Sequence, residues 1–299
     1  MKVDFDEIID RQNTNCLNTD GFRGYIFHAG PEKVFPYSDE EFVRMWVADM
    51  EFATPQPIID AIKERLDRRI FGYTMMFKDD YYNSFSSWCK TMYDWSFPRE
   101  ELAFSTGVIP ALYQLLELLL KKDEKLIINT PAYGYFQHAA EYNDVEYVKA
   151  PLLKENNDFR IDFDEMEKLA ADPKVKLLLW CNPHNPSGRV WTEDELRRVA
   201  DIVEKNDLWI ISDEIHCDLV DPGKEYVPFA SVSDVCRDIS ITCIAPTKTF
   251  NIAGVNSAAV MIPNKFLRHK MWRQLNTDEV AEPNIIAIEA TIAAFNEGD

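Results

Sequence analysis

The chain reads as an α/β protein built on a mainly parallel sheet, and three observations predict it. From about residue 100 onward, short apolar runs rich in β-branched residues alternate with amphipathic helical runs. The apolar runs are continuous, as in strands buried on both faces of a parallel sheet. Polar or glycine-containing turns follow five of them, and in such sheets ligands sit at the carboxyl ends of the strands.

The strand candidates are 102–104, 125–129, 145–148, 175–181, 208–212, 239–244 and 257–262. Helical spacing predicts 110–120, with apolar residues at 111, 112, 115, 116, 119 and 120. A second helix over 192–203 opens on a capping box from Thr192 to Glu195. Helices over 57–66 and 80–92 precede this region, and one over 284–295 follows it.

The bulk composition bounds what such a fold can do. The chain has 299 residues, 46% of them hydrophobic, enough for one large domain or two moderate ones. With 32 Lys and Arg against 51 Asp and Glu, the formal net charge is -19. Such a field repels phosphate backbones and anionic membrane surfaces, so neither nucleic acid nor membrane is an expected partner. No apolar run approaches the ~20 residues of a membrane span. The acidic N-terminus has no signal-peptide core, so the expected compartment is the cytoplasm. Six cysteines at 16, 89, 181, 217, 236 and 243 show no CxxC spacing and read as reduced, mostly buried thiols. Cys181, His184, His216 and Cys217 make a metal set on paper only. Adjacent strand residues point to opposite faces and zinc-ribbon spacings are absent, so no metal is expected.

The turns carry the chemistry. The run at 241–244 leads to Lys248 in PTKTF (246–250). A lysine at a strand end is ordinarily solvated; beside a cleft, burial of its stem would depress its pKa and make it a nucleophile or base. Asp213 in SDEIHCD (212–218) is a helix cap or a carboxylate aimed at a cationic ring nitrogen. Asn185 in CNPHNPSG (181–188) sits among turn formers. Tyr133 in NTPAYGYF (129–136) is a packed aromatic or a ring that stacks on a flat ligand. STGVIPAL (105–112) opens onto a helix with Pro110 in its first turn, and free N–H groups there bind phosphate. Neither a Walker A sequence nor G-x-G-x-x-G is present, which disfavours nucleoside triphosphates and NAD.

A lysine, an acid for a pyridinium nitrogen, a stacking aromatic and a phosphate-binding helix start are the parts that pyridoxal 5'-phosphate (PLP) chemistry requires. The sequence resembles the fold-type-I PLP-dependent enzymes of the class I/II aminotransferase superfamily. The resemblance covers nearly the whole chain: WVADMEFATPQPIIDAI (46–62), FGYTM (71–75), NPHNPSGRVWT (182–192), SDEIHCDL (212–219) and APTKTFNIAG (245–254). WVADMEF, DEIHCD and KTFNIAG are most similar to the cystathionine β-lyase, or C–S lyase, branch.

That resemblance implies a three-layer α/β/α large domain over 51–283. Residues 1–50 would belong to a small domain, and 284–299 would begin the helix leading to its C-terminal part. It also implies roles. Lys248 would hold PLP as a Schiff base and shuttle the Cα proton. Asp213 would pair with the ring nitrogen, Asn185 would bond the ring oxygen, and Tyr133 would stack on the ring. Thr106, Gly107, Val108 and Thr247 would hold the phosphate, and Tyr73 would reach the phosphate of a neighbouring subunit in a homodimer. The position eight after the lysine, arginine in typical aminotransferases, is Asn256; the position three after the aspartate, often tyrosine there, is His216. Both fit the lyase branch. His216 reads equally as a structural histidine or as a group near the ring oxygen.

The family pattern continues into a C-terminal small domain with the arginine for the substrate carboxylate, so the chain is expected to lack that clamp. Exposed apolar surface is then expected around 22–27 and along 285–295. The implied reaction is β-elimination from cystathionine or related cysteine S-conjugates, giving thiol, pyruvate and ammonia. An aminotransferase, and a PLP-binding but non-catalytic interaction or regulatory protein, are the alternatives.

Overall fold

The computed structural model describes residues 4–156 and 158–298. It divides the chain into two compact units, Met1–Pro55 and Gln56–Asp299.

In the first unit, order comes from aromatic packing more than from regular structure. The single turn of α1 (Phe22–Tyr25) buries Phe22, whose ring stacks on Trp46 at 5.5 Å. Phe27, Phe35 and Phe42 pack around this pair at 5.2 to 6.0 Å. Arg11 ties the end of the unit, 3.2 Å from Asp49 and donating to the carbonyls of Met50 and Phe52. The exposure expected around 22–27 is corrected in part: Phe22 is buried and Phe27 half-buried, because the rings cover one another, while Tyr25 is exposed.

Among the described residues the second unit contains nine strands. They are β1 (Leu102–Ser105), β2 (Lys125–Thr130), β3 (Glu146–Pro151), β4 (Leu153–Glu155), β5 (Asp158–Arg160), β6 (Val175–Cys181), β7 (Trp209–Asp213), β8 (Ser240–Ile244) and β9 (Ala258–Met261). Its α-helices are α2 (Gln56–Asp67), α3 (Asp80–Tyr93), α4 (Val108–Leu119), α5 (Gly134–Tyr142), α6 (Phe163–Ala170), α7 (Glu193–Lys205), α8 (Asp234–Ile239), α9 (Lys265–Thr277) and α10 (Ala287–Glu297). Seven strands form one sheet in the order β1-β9-β8-β7-β6-β2-β3, while β4 and β5 make a separate antiparallel pair. Pairing is parallel from β8 through β3, whereas β9 runs antiparallel to both β8 and β1. Six strands therefore point the same way.

The expected three layers follow from strand alternation. Leu126, Ile128, Leu177, Leu179, Ile211 and Val260 pack on one face with α4, α5 and α9. Their neighbours Ile127, Leu178, Trp180 and Ile210 face α6 and α7 on the other. Leu102, Phe104, Ala259 and Met261 share that second face with α3 and α10. Strands buried on both sides leave no room for a polar face, which is why their sequences read as unbroken apolar runs. Helix α10 buries Ala287, Ala290, Thr291, Ala293, Ala294 and Phe295 and packs against α2 and α3. The apolar exposure expected along 285–295 is thus also corrected: the second unit supplies its own cover. Among the described residues no helix is long and apolar enough to cross a membrane.

Candidate active site

Five of the six co-directional strands end in the turns singled out above. β1 runs into Thr106–Gly107, β2 into the turn before Tyr133, β6 into Asn182–Asn185, β7 ends at Asp213, and β8 leads to Thr247–Lys248. Parallel register sets three of these ends level, because Cys181 pairs with Asp213 and Asp213 with Cys243.

Asp213 is the centre of this edge. It is 4% exposed, and Ile215 N–H donates to its Oδ1 at 3.2 Å. Burial raises its pKa to about 7, while the Lys248 charge pulls in the opposite direction. A carboxylate this deep calls for a cation, and Lys248 is near enough for its charge to be felt. The same charge reaches His216, whose pKa is lowered to about 4 chiefly by burial and then by Lys248. Lys248 itself is half-buried, in a turn closed by Phe250 N–H to Pro246 O and Ile252 N–H to Thr247 O, both 3.0 Å. Thr247 is buried beside it.

The remaining residues are placed as follows. Gly107 is the N-cap of α4 and offers no side-chain cap, so the first N–H groups of the helix, including that of Val108, have no intrahelical acceptor. A Cβ at Gly107 would sit 3.1 Å from Pro110 Cδ, which suits glycine to this turn. Asn185 is half-buried and its N–H donates to Cys181 Sγ at 3.3 Å. The turn behind it needs Gly188 at φ +70. Tyr133 caps α5, 36% exposed, with its ring edge-on to Phe136. Tyr73 is 97% exposed. Asn256 adopts the left-handed conformation (φ 57) that asparagine tolerates well.

Sequence reasoning missed two carboxylates. Glu214 is fully buried, accepting from Ser212 Oγ (2.6 Å), Phe229 N–H (3.0 Å), Asn182 Nδ2 (3.4 Å) and Tyr226 OH. Asp218 accepts from Trp88 Nε1 (3.0 Å), Tyr93 OH and Thr249 Oγ1. Their shared signal was position: both lie in the SDEIHCD turn with Asp213. All six cysteines are free, five of them buried, and burial raises the thiol pKa of each of those five.

A mixed seven-stranded sheet between helical layers, with a lysine, a buried acid and an uncapped helix start at one edge, defines a PLP-transferase type of α/β fold. Residues 41–286 match the family model for aminotransferase class I and II, and the chain belongs to that family. It is 38% identical over 257 residues to cystathionine beta-lyase PatB of Bacillus subtilis, which covers 85% of this chain. The match spans 65% of the length of that relative. Among solved structures, the PLP-bound C-S lyase from Staphylococcus hominis superposes with a TM-score of 0.90 at 41% identity, covering all of this chain and 72% of that one. Cystalysin from Treponema denticola, which contains a pyridoxal 5'-phosphate cofactor, gives 0.91 at 34% identity, covering 99% and 73%.

Proposed function

We propose that this chain is a PLP-dependent C–S lyase that eliminates thiol from cystathionine or cysteine S-conjugates, leaving pyruvate and ammonia. The observation that carries the reading is Asp213, a carboxylate buried at the strand edge with Lys248 as its nearby cation. The likeness to a named cystathionine beta-lyase and to PLP-bound C-S lyases supports it. The residues present fit the cofactor. A buried acid lacking full compensation suits a protonated ring nitrogen, and a helix start without a side-chain cap suits a phosphate.

When bound, PLP supplies an electron sink for the pair left behind as a substrate Cα–H bond breaks. Lys248 would hold the cofactor through its amine and, once displaced by the substrate amine, take the Cα proton at Nζ. Asp213 would keep the ring nitrogen protonated. Thr106, Gly107, Val108 and Thr247 would hold the phosphate, Asn185 would bond the ring oxygen, and Tyr133 would lie against the ring. Loss of the Cα proton and of the Cβ thiolate leaves an enamine that water converts to pyruvate and ammonia. Tyr73, nearly all exposed, would serve the partner's phosphate in a cytoplasmic homodimer.

The test is the visible spectrum of the full chain with added PLP, beside Lys248→Ala. The lysine-bound absorption band should form in the parent and vanish in the variant. Pyruvate released from cystathionine would then separate elimination from transamination, which instead yields the pyridoxamine cofactor. A parent without the band sinks the reading.

A further inference from the structure

We propose that Asp218 is a positioning residue that aims Lys248 by gripping its neighbour Thr249, an inference that rests on the lysine's role above. Five residues after Asp213, Asp218 gathers three neutral donors on one carboxylate. Oδ1 accepts from Trp88 Nε1 at 3.0 Å and from Tyr93 OH, and Oδ2 from Thr249 Oγ1. Two of these donors belong to α3 and the third follows the lysine directly. Burial and the nearby Cys217 and Asp218 raise the Tyr93 pKa, so the phenol stays neutral and donates.

The grip extends one residue further, because the buried Trp88 ring meets Phe250 edge-on at 5.4 Å. Helix α3 thus holds both residues after Lys248, one by packing and one through Asp218. The turn that supplies Asp218 also carries Asp213 and His216, two groups that feel the Lys248 charge. One short segment therefore sets the lysine's position relative to its electrostatic partners. Thr249 is needed for its hydroxyl, and Asp218 for accepting from two sides at once. A misplacement of about 1 Å at a reacting group can cost roughly 100-fold in rate, so a rigid tether matters here.

The experiment compares Thr249→Val, Thr249→Ser and Asp218→Asn with the parent chain, all with added PLP. Tyr82→Phe serves as control, since it removes a single 2.6 Å hydrogen bond to Phe97 O from the same helix. Thr249→Val and Asp218→Asn should form the visible band about tenfold more slowly, the scale of one lost hydrogen bond to a charged group. Their visible circular dichroism per bound cofactor should also fall. Thr249→Ser should track the parent. Melting curves of the cofactor-free proteins show whether each variant folds. Thr249→Val matching the parent, or Tyr82→Phe changing the dichroism as much, would overturn the tether. Absence of the band in the parent overturns the cofactor reading itself, and this inference with it.

Discussion

Asp213 shows how a single buried acid trades stability for chemistry. Its folded pKa of about 7 lies above its ordinary 3.8, so the folded chain keeps a proton that the unfolded chain gives up. The resulting stabilisation is full below pH ~4 and is lost as pH rises through about 7. Glu214, also raised to about 7 by burial, acts in the same sense. His184 and His216 act in the opposite sense. Both are lowered to about 4, so their contribution is full above pH 6.5 and fades as pH falls through about 4. Asp213→Asn isolates the first effect. In the cofactor-free chain it should raise the unfolding free energy more at pH 8 than at pH 5, by up to about 4 kcal/mol at pH 8. The same variant should weaken the lysine-bound visible band. Equal shifts at the two pH values would show that the carboxylate is not held against its charge. The identity of Asp213 was legible from its place after an apolar run; that it titrates near neutrality was not, because burial is a property of the assembled layers.

Elements were legible where a signal repeats locally. The capping box at the start of α7 is formed as read, with Thr192 Oγ1 accepting from Glu195 N–H at 3.2 Å and Glu195 Oε2 accepting from Thr192 N–H at 2.8 Å. Thr192→Ala should therefore cost about 1 kcal/mol of stability. Because Thr192 is none of the residues expected to hold the cofactor, cofactor absorption should be unchanged; denaturant titration and the visible spectrum check the two halves. Other elements escaped the reading for physical reasons. Helix α9 buries only Leu267, Met271 and Leu275, a stripe one residue wide whose pattern the exposed Phe266 and Trp272 obscure. Helix α5 begins within a turn that looked wholly committed to the site, with Tyr133 as its cap. Strands β4 and β5 are three residues each and mostly exposed, too short for alternation to register.

At the scale of the molecule, the second unit is closed by an aromatic contact between its two ends. Phe295 of α10 lies 4.7 Å from Phe85, 5.5 Å from Trp88 and 5.7 Å from Phe250. Thr291 joins Ser257 at 2.8 Å in the same layer. Phe295→Ala should cost about 3–5 kcal/mol by opening a cavity. Since Phe250 is the second residue after Lys248 and Trp88 packs on it, the loss should also loosen the strand edge that carries the lysine. A chemical-denaturation midpoint within error of the parent would show that α10 is peripheral.

By itself the sequence determined which runs become strands and which residues stand in the turns at their ends. Those facts depend on side-chain type and on spacing within a few positions, and WVADMEF, SDEIHCD and PTKTF hold them in plain view. Tertiary structure alone decided the strand order, the reversed direction of β9, and the burial of the 285–295 segment. It also decided that Asp218 meets Trp88, Tyr93 and Thr249, partners between 31 and 130 residues away. Such contacts depend on which surfaces remain to be covered once the sheet has formed, and no local pattern encodes that.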